Sequence, residues 1–163
     1  MDPFPPLTGR PYADAVVDIR QATSADLDEV RRVVEAAYTP WIDVIGIRPM
    51  PMDEDYAALV GAGKVQVVEA EGAVAAVLIV ERDADHLLIE NLAVDPAVQG
   101  RGLGARLLGL VEDEARAQGL PEVRLYTHVL MASNIAWYEN HGFVETSRDG
   151  TLPRRRVWLS KTM

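Results

Sequence analysis

The sequence predicts a single α/β domain built on a sheet of six to seven strands with helices packed against it. Short apolar stretches alternate with stretches at helical spacing, in the order strand, two helices, three strands, helix, strand, helix, two strands. The 163 residues have the length of one ordinary domain, and no segment repeats. Residues 1–17 carry four prolines and no periodicity, which predicts an N-terminal tail before one domain over residues 18–163.

The first part of the domain is predicted to be a strand followed by two helical stretches. The strand covers residues 17–23, and Ser24 suits the N-cap of the helix that follows. Pro40 is expected to end that helix, because proline lacks the N–H that continues the ladder. Residues 41–55, rich in proline and methionine, predict short helix and loop before a second helix that Gly63 caps.

The remaining elements follow from turn signals and apolar spacing. Glu71–Gly72 is a tight-turn pair between two strands, and a helix from about Gly102 to Gln118 ends before Pro121. Ser133 suits the cap of a short helix. The predicted strands are residues 64–72, 73–83, 86–94 and 122–130 and a closing hairpin, 143–148 with 154–161, across which the arginines Arg154–Arg156 are expected to alternate.

Composition excludes several classes of function. The formal net charge of −9 argues against general affinity for nucleic acid, which usually needs a basic face. No apolar run approaches the ~20 residues that span a membrane, and no signal peptide is expected. There is no cysteine, which excludes disulfides and thiolate metal sites and is compatible with a cytoplasmic location.

Three glycines at alternate positions, Gly100, Gly102 and Gly104, lie between a strand and a helix. A tight loop alone would account for any one of them. Three together can turn successive backbone N–H groups inward, and the helix that follows adds the positive end of its dipole. The spacing therefore favours a site for a phosphate-bearing ligand.

Two other glycine motifs fit less well. Gly100, Gly102 and Ala105 satisfy the G-x-G-x-x-A spacing of dinucleotide-binding loops, but that motif places its first glycine at the end of the strand. Here "DPAVQ" intervenes, and the next strand offers "LYTHV" where an acidic residue is required. A P-loop is excluded because no Lys-Ser/Thr pair follows the last glycine.

The stretch "QGRGLG", residues 99–104, resembles the Q/R-x-x-G-x-G/A signature of the GNAT family of acetyl-CoA-dependent N-acetyltransferases. The likeness extends over "LLIENLAVDPAVQGRGLGARLL" and over "MASNIAWYENHGF", which resembles the second family signature. It covers about residues 18–161. The resemblance implies the GNAT fold, a mixed and mostly antiparallel central sheet flanked by helices.

The resemblance also implies which residues bind acetyl-CoA as co-substrate. Backbone N–H groups of the glycine loop would hold the pyrophosphate, and the main chain of residues 92–94 would pair with the pantetheine arm as an added strand. Arg106 is a further candidate for the phosphate. The expected cofactor-binding residues are Leu92, Ala93, Val94, Gln99, Gly100, Arg101, Gly102, Leu103, Gly104, Ala105 and Asn134.

Asn134 marks a departure from the family pattern. Many members carry Asn seven residues before the signature tyrosine and Ala four before it, whereas this chain has Met131 and Asn134 at those positions. Asn134 either replaces the usual pantetheine contact from the next helical turn or only occupies the first turn of its helix.

Two residues are candidates for the chemistry of acetyl transfer. Tyr138 aligns with the family tyrosine that protonates the leaving thiolate, and a phenol is protonated at neutral pH. Glu90 lies inside an apolar strand, where partial burial would raise its pKa toward that of a useful base. By strand alternation Glu90 is expected to share a face with Leu88 and Leu92.

His128, on the following strand, is the alternative base, although a lone histidine is more often a packed residue. His86 and His141 are interpreted as turn and helix-end residues. The three histidines have no metal-ligand spacing, and the family needs no metal.

The leading hypothesis is therefore direct acetyl transfer to a primary amine of a small molecule or peptide, without a cysteine intermediate. The alternative is a sensor with the same fold that binds acyl-CoA without turnover. A homodimer is a further expectation, because dimers are frequent in the family. The acceptor wall is expected within residues 38–56, with an apolar pocket formed by Trp41, Met50, Met52 and Tyr56 and an acidic run, Asp53, Glu54 and Asp55, beside it.

Overall fold

The structure is a computed structural model that describes residues 11–12, 15–16 and 18–163. Most of the predicted tail, residues 1–17, lies outside the described residues. Within it, the backbone of β1 (Pro11–Tyr12) pairs antiparallel with that of β2 (Ala15–Val16).

The domain that follows has the predicted order of elements. The helices are α1 (Leu27–Ile45), α2 (Tyr56–Gly61), α3 (Leu103–Ala117) and α4 (Ala132–Asn140). The strands of the main sheet are β3 (Asp18–Gln21), β4 (Val65–Ala70), β5 (Ala73–Arg82), β6 (His86–Val94), β7 (Glu122–His128), β8 (Val144–Asp149) and β9 (Arg156–Thr162).

These seven strands form one mixed sheet in the order β3-β4-β5-β6-β7-β9-β8. Every neighbouring pair is antiparallel except β6 with β7, which are parallel. The β4–β5 hairpin turns at Glu71 and Gly72, both of which have positive φ, as a two-residue primed turn requires. The predicted fold class and turn are confirmed.

The parallel pair β6–β7 is short, and this creates the central gap of the sheet. His86–Ile89 of β6 pairs with Glu122–Leu125 of β7, and the pairing goes no further. From Asn91 to Val94, β6 remains paired with β5, while Tyr126–His128 remains paired with β9. The two strands therefore separate toward their carboxyl ends.

A β-bulge at Glu90 accompanies this separation. Ile79 of β5 pairs with Asn91 and Val80 pairs with Ile89, so Glu90 is the extra residue on β6. The bulge interrupts side-chain alternation. The prediction that Glu90 shares a face with both Leu88 and Leu92 is therefore wrong, because no single alternation runs through the bulge.

The bulge also exchanges the two faces of β6. Ile89, before it, and Leu92, after it, both pack in the core cluster that includes Leu107 and Leu108 of α3. Ala93 packs instead with Val33 of α1. The sheet therefore lies between α1 on one face and α3 on the other.

Helix α1 does not end at Pro40, which corrects the prediction. The helix continues through Pro40 to Ile45 and ends at Gly46, whose φ of 86° closes the final turn. Proline removes one backbone hydrogen bond from a helix interior, but neighbouring turns can carry the chain past it. This continuation brings the end of α1 to the site described below.

Three smaller predictions also change. Ser24 starts a 3-10 turn whose N-cap is Thr23, and Asp26 accepts a 2.7 Å hydrogen bond from the Thr23 N–H. Ser133 lies inside the first turn of α4, and Met131 is its N-cap. The run Arg154–Arg156 does not alternate on the hairpin, because only Arg156 belongs to β9.

Candidate active site

Two cavities meet at Tyr38, near the carboxyl ends of the separating strands. The first, the glycine-loop cleft, has a volume of about 570 Å³. The second, the arginine-rimmed cavity, is smaller. Tyr38 of α1 lines both, so its ring lies at the boundary between them.

The glycine-loop cleft contains most of the predicted cofactor-binding residues. Its walls come from β6, the glycine loop, α3, α4 and α1. The lining residues are Ala37, Tyr38, Trp41, Leu92, Val94, Val98, Gln99, Gly100, Gly102, Leu103, Gly104, Ala105, Ser133, Asn134, Trp137, Tyr138 and His141.

The glycine loop is built by backbone conformations that favour glycine. Gly100 and Gly102 have φ of 79° and 82°, and open space lies where each Cβ would be. Gly102 is the N-cap of α3, whose first N–H groups have no partner within the helix. The Gln99 amide donates a 3.0 Å hydrogen bond to the Val94 carbonyl and ties the loop to β6.

Gly104 is small for a different reason. Its backbone is helical, but a Cβ there would lie 3.2 Å from Cζ2 of Trp137. The Trp137 ring therefore packs directly on the first turn of α3. It also contacts Tyr138 and His141, with ring centroids 5.0 Å and 4.3 Å away.

Two predicted cofactor residues lie outside the lining of the cleft. Ala93 is 1% exposed and packs against α1, although its backbone pairs with Val77 of β5. Arg101 turns away and forms a 2.7 Å ion pair with Glu71. The guanidinium of Arg106 has two buried nitrogens without a hydrogen-bond partner among the described residues.

Tyr138 is half-buried on α4 and faces the glycine-loop cleft. Its ring packs edge-on against Phe143, with centroids 5.8 Å apart. Burial raises the pKa of the phenol well above its ordinary range, so the hydroxyl stays protonated at neutral pH. No hydrogen-bond partner for this hydroxyl lies within the part of the chain that the structure describes, so its proton is available to a ligand.

Glu90, by contrast, lines the arginine-rimmed cavity. Partial burial is the main cause that raises the pKa of its carboxyl. The charges of Glu81 and Glu54 raise the pKa further, and Lys64, paired with Glu81 at 2.6 Å, partly offsets them. Glu90 and Tyr138 thus lie in adjacent cavities rather than in one.

His128 lines the same cavity as Glu90, but its ring is engaged on both sides. Nδ1 lies 3.1 Å from the Leu130 N–H and accepts a hydrogen bond from it, while Nε2 lies 2.6 Å from the Pro153 carbonyl, to which it donates. These contacts hold the imidazole as a link between β7 and the β8–β9 loop. Because both ring nitrogens are engaged, neither is free to accept a proton from a ligand.

The residues predicted to form the acceptor wall do not lie together in the structure. Met50 lines the arginine-rimmed cavity, whereas Trp41 lines the glycine-loop cleft. Met52 and Tyr56 are buried and line neither cavity. Asp55 caps α2 by accepting from the Ala58 N–H.

A buried hydrogen-bond chain behind the site is absent from the sequence predictions. The Tyr38 hydroxyl donates to Asn91, and the Asn91 amide donates to the Tyr56 hydroxyl at 3.1 Å. Tyr56 in turn donates to the Pro51 carbonyl. The one available signal was Asn91 itself, an amide next to Glu90 in a mostly apolar strand.

The other polar residues have structural positions. His86 begins β6, is buried, and bonds Asp85 through Nδ1, while His141 ends α4. Among residues 18–163, no group of three or more potential ligands is arranged to hold a metal ion. In the same range, no helix has the length and apolar character needed to cross a membrane.

The profile of the acetyltransferase (GNAT) family matches residues 30–143. The chain belongs to the GNAT family. This match includes most of α1, the bulged strand, the glycine loop and α4, and with them every lining residue of the glycine-loop cleft. Pro153, Arg154 and Arg156 of the arginine-rimmed cavity lie beyond it.

Among curated GNAT relatives, an IAA acetyltransferase of Azospirillum brasilense is 36% identical over 68 residues, which are 42% of this chain and 44% of that protein. A [ribosomal protein bS18]-alanine N-acetyltransferase of Salmonella typhimurium is 37% identical over 78 residues, 48% of this chain and 53% of that protein. The chain thus spans about half the length of these relatives.

A solved GNAT structure shares the fold over nearly the whole domain. It is the PaiA N-acetyltransferase of Thermoplasma acidophilum in complex with coenzyme A. The TM-score is 0.70 at 17% identity, with 90% of this chain and 99% of that chain covered. At this identity the likeness establishes the GNAT fold alone.

Proposed function

We propose that this chain is an N-acetyltransferase that transfers the acetyl group of acetyl-CoA directly to a primary amine. The observation that carries the proposal is the alignment of three features along one cleft: the unpaired stretch of β6, the glycine loop, and the Tyr138 hydroxyl. Family membership and the coenzyme A complex of the Thermoplasma protein support it.

The residues present fit a coenzyme A molecule. Gly100 and Gly102 leave open space above the loop backbone, where a pyrophosphate can meet N–H groups and the positive end of α3. The cleft volume of about 570 Å³ lies within the 300–1,000 Å³ typical of small-molecule sites. Residues 92–94 offer a strand edge for that arm.

The proposed chemistry begins with removal of a proton from the amine. A lysine-like amine has a pKa of ~10.4, so its neutral form is scarce at pH 7 by about 3.4 log units, or roughly 4.6 kcal/mol. Glu90, whose carboxyl has a raised pKa, accepts this proton directly or through water. The neutral nitrogen then attacks the thioester carbonyl carbon, and the carbon–sulfur bond breaks.

Tyr138 completes the exchange by donating its phenolic proton to the departing sulfur. The thiol that forms has a pKa near that of cysteine, ~8.5, below that of the phenol, so Tyr138 acts first as a hydrogen-bond donor to the departing sulfur. A phenolate left by proton transfer recovers its proton through solvent, to which Glu90 releases the proton taken from the amine. The raised pKa of Tyr138 keeps the proton in place until the sulfur leaves. Because the two residues lie in adjacent cavities, the amine and the cofactor approach from opposite sides of Tyr38.

The test has two arms. In the first, thermal unfolding is followed with acetyl-CoA, coenzyme A or NADH, and a ligand at about 100 times its Kd stabilises by about 2.7 kcal/mol. We expect stabilisation by both coenzyme A species. A shift with NADH alone contradicts the proposal.

The second arm measures thiol release from acetyl-CoA across primary amines, peptides and polyamines. Release that depends on the amine supports a transferase. Binding of acetyl-CoA with no release across a broad panel favours the acyl-CoA sensor instead.

A further inference from the structure

The arginine-rimmed cavity combines an apolar wall with charged groups of both signs. The apolar wall comes from the end of α1 and the segment after it, residues Ile45, Ile47, Pro49, Met50 and Pro51. Glu90 is the one carboxylate among the lining residues, and three arginines lie around it: Arg48, Arg154 and Arg156.

Two of these arginines are neutralised by carboxylates of the protein. Arg48 lies 3.2 Å from Glu35 and 3.0 Å from Asp53. Arg156 lies 2.8 Å from Asp149, and its guanidinium packs over the rings of Tyr126 and Trp158.

Arg154 differs from both. It is exposed, lines the cavity, and has no ion-pair or hydrogen-bond partner for its guanidinium within residues 18–163. An unpaired arginine at the rim of a cavity is notable in a chain of net charge −9. It leaves one positive charge to be met by a ligand.

The loop that carries Arg154 is held in place at three points. The Arg154 N–H donates to the Thr151 carbonyl at 2.9 Å, and the Val129 N–H donates to the Arg155 carbonyl at 3.0 Å. The ring of His128 bonds the Pro153 carbonyl. The backbone of Arg154 is therefore fixed beside β7, at the position where this residue lines the cavity.

We infer that the acetyl acceptor is an amino carboxylate with an apolar body, such as an apolar amino acid or short apolar peptide. This inference rests on the proposed function. The amine faces Glu90, the apolar body packs on the wall from Ile45 to Pro51, and the carboxylate pairs with Arg154. A guanidinium binds a carboxylate through two parallel hydrogen bonds, whereas a polycation would place like charge beside Arg154.

The experiment compares matched substrates on matched variants. Leucine, methionine, phenylalanine and their dipeptides are assayed for acetyl-CoA-dependent thiol release beside the same compounds as C-terminal amides, with spermidine as the polycation. Arg154→Gln is compared with Arg155→Gln, which removes the neighbouring exposed arginine that does not line the cavity. Thermal stability and acetyl-CoA affinity are measured for both variants.

We expect the carboxylate compounds to have the lower KM, and Arg154→Gln to raise that KM about tenfold or more. The KM of the amides should not change in Arg154→Gln, and neither KM should change in Arg155→Gln. Equal or better turnover of amides or spermidine, or an unchanged KM ratio in Arg154→Gln, overturns the inference and leaves the proposed function intact. Absence of thiol release with every amine, when acetyl-CoA binds, overturns both.

Discussion

The Tyr38 hydroxyl donates a 2.7 Å hydrogen bond to Oδ1 of Asn91, and this contact ties α1 to β6 immediately beside the Glu90 bulge. Asn91 is 5% exposed and uses its amide nitrogen on Tyr56. Both functional atoms of a buried amide are therefore satisfied, which fixes its orientation. The wall between the two cavities depends on this arrangement.

Replacing Tyr38 by phenylalanine should cost about 1–3 kcal/mol of the free energy of unfolding, because Oδ1 of the buried Asn91 loses its donor. Urea unfolding measures the change. Tyr126→Phe is the control, since that hydroxyl has no hydrogen-bond partner among the described residues. Equal stability of the two variants would show that the Tyr38 contact contributes little.

Tyr138→Phe should lower kcat by about 100-fold or more while leaving the Kd of acetyl-CoA nearly unchanged. The substitution removes the proton donor and keeps the ring that packs on Trp137 and Phe143. Steady-state kinetics and calorimetric titration measure the two quantities. Unchanged kcat would exclude Tyr138 as the acid, and a large loss of affinity would assign it to binding.

Glu90 should impose an acid limb on the pH profile of kcat/KM. Burial raises the pKa of this carboxyl above its ordinary ~4.3, so the base form is lost as pH falls through that raised value. Glu90→Gln should lower kcat/KM at pH 7 by about 100-fold and remove the limb. If Glu90→Gln keeps the wild-type limb, another group is the base.

The same carboxyl should destabilise the fold at neutral pH. The pKa of this carboxyl is higher in the folded than in the unfolded chain, so the folded state binds more protons at pH values between the two pKa values. The free energy of unfolding therefore falls as pH rises through that range. Glu90→Gln should therefore melt at a higher temperature than the wild type at pH 7 and show no advantage at low pH. Glu139→Gln, at an exposed position on α4, is the matched control.

Gly104→Ala and Gly109→Ala, both in α3, form a matched pair of variants. Alanine at Gly109 meets nothing within 4 Å and should stabilise the helix by about 0.5–1 kcal/mol. At Gly104 the added methyl would lie 3.2 Å from Trp137, so it should displace the ring into the cleft and weaken acetyl-CoA binding. Thermal unfolding and the acetyl-CoA Kd are measured for both. An unchanged Kd in Gly104→Ala would mean that the ring moves away from the ligand.

His128→Leu tests whether this histidine links the loop or acts as the base. Loss of its bonds to Leu130 and Pro153 should raise the KM of the acceptor and leave the acid limb in place. His128→Gln, which keeps an amide donor for the Pro153 carbonyl, should restore part of the KM. Disappearance of the acid limb in both variants would assign proton transfer to His128.

Short-range sequence patterns correctly predicted the features that depend on neighbouring residues in the chain. The turn at Glu71–Gly72 and the glycine loop were found because positive φ favours particular residues at particular positions. The order of strands and helices was found because each element carries its own apolar periodicity. Gly104 is the exception, because it is small to make room for the Trp137 ring.

The errors lie where tertiary contacts override the local pattern. Pro40 is a helix breaker by propensity, yet α1 passes through it. The bulge at Glu90 depends on its pairing with β5, which single-strand alternation cannot reveal. Arg154 was predicted as part of a hairpin run, and only the fold shows that it lines a cavity without an ion-pair partner among the described residues. Arg155 does not line the cavity, and Arg156 lines it but is paired with Asp149.

The separation of β6 from β7 has a mechanical consequence. Within the main sheet, the leaf β3–β6 and the leaf β7–β9 are joined by four residue pairs at one end only, His86–Ile89 with Glu122–Leu125. The two halves of the sheet are therefore hydrogen-bonded to each other at one end and separate at the other. A molecule bound across the open end would contact both halves of the sheet. Binding in the gap would therefore also stiffen the whole sheet.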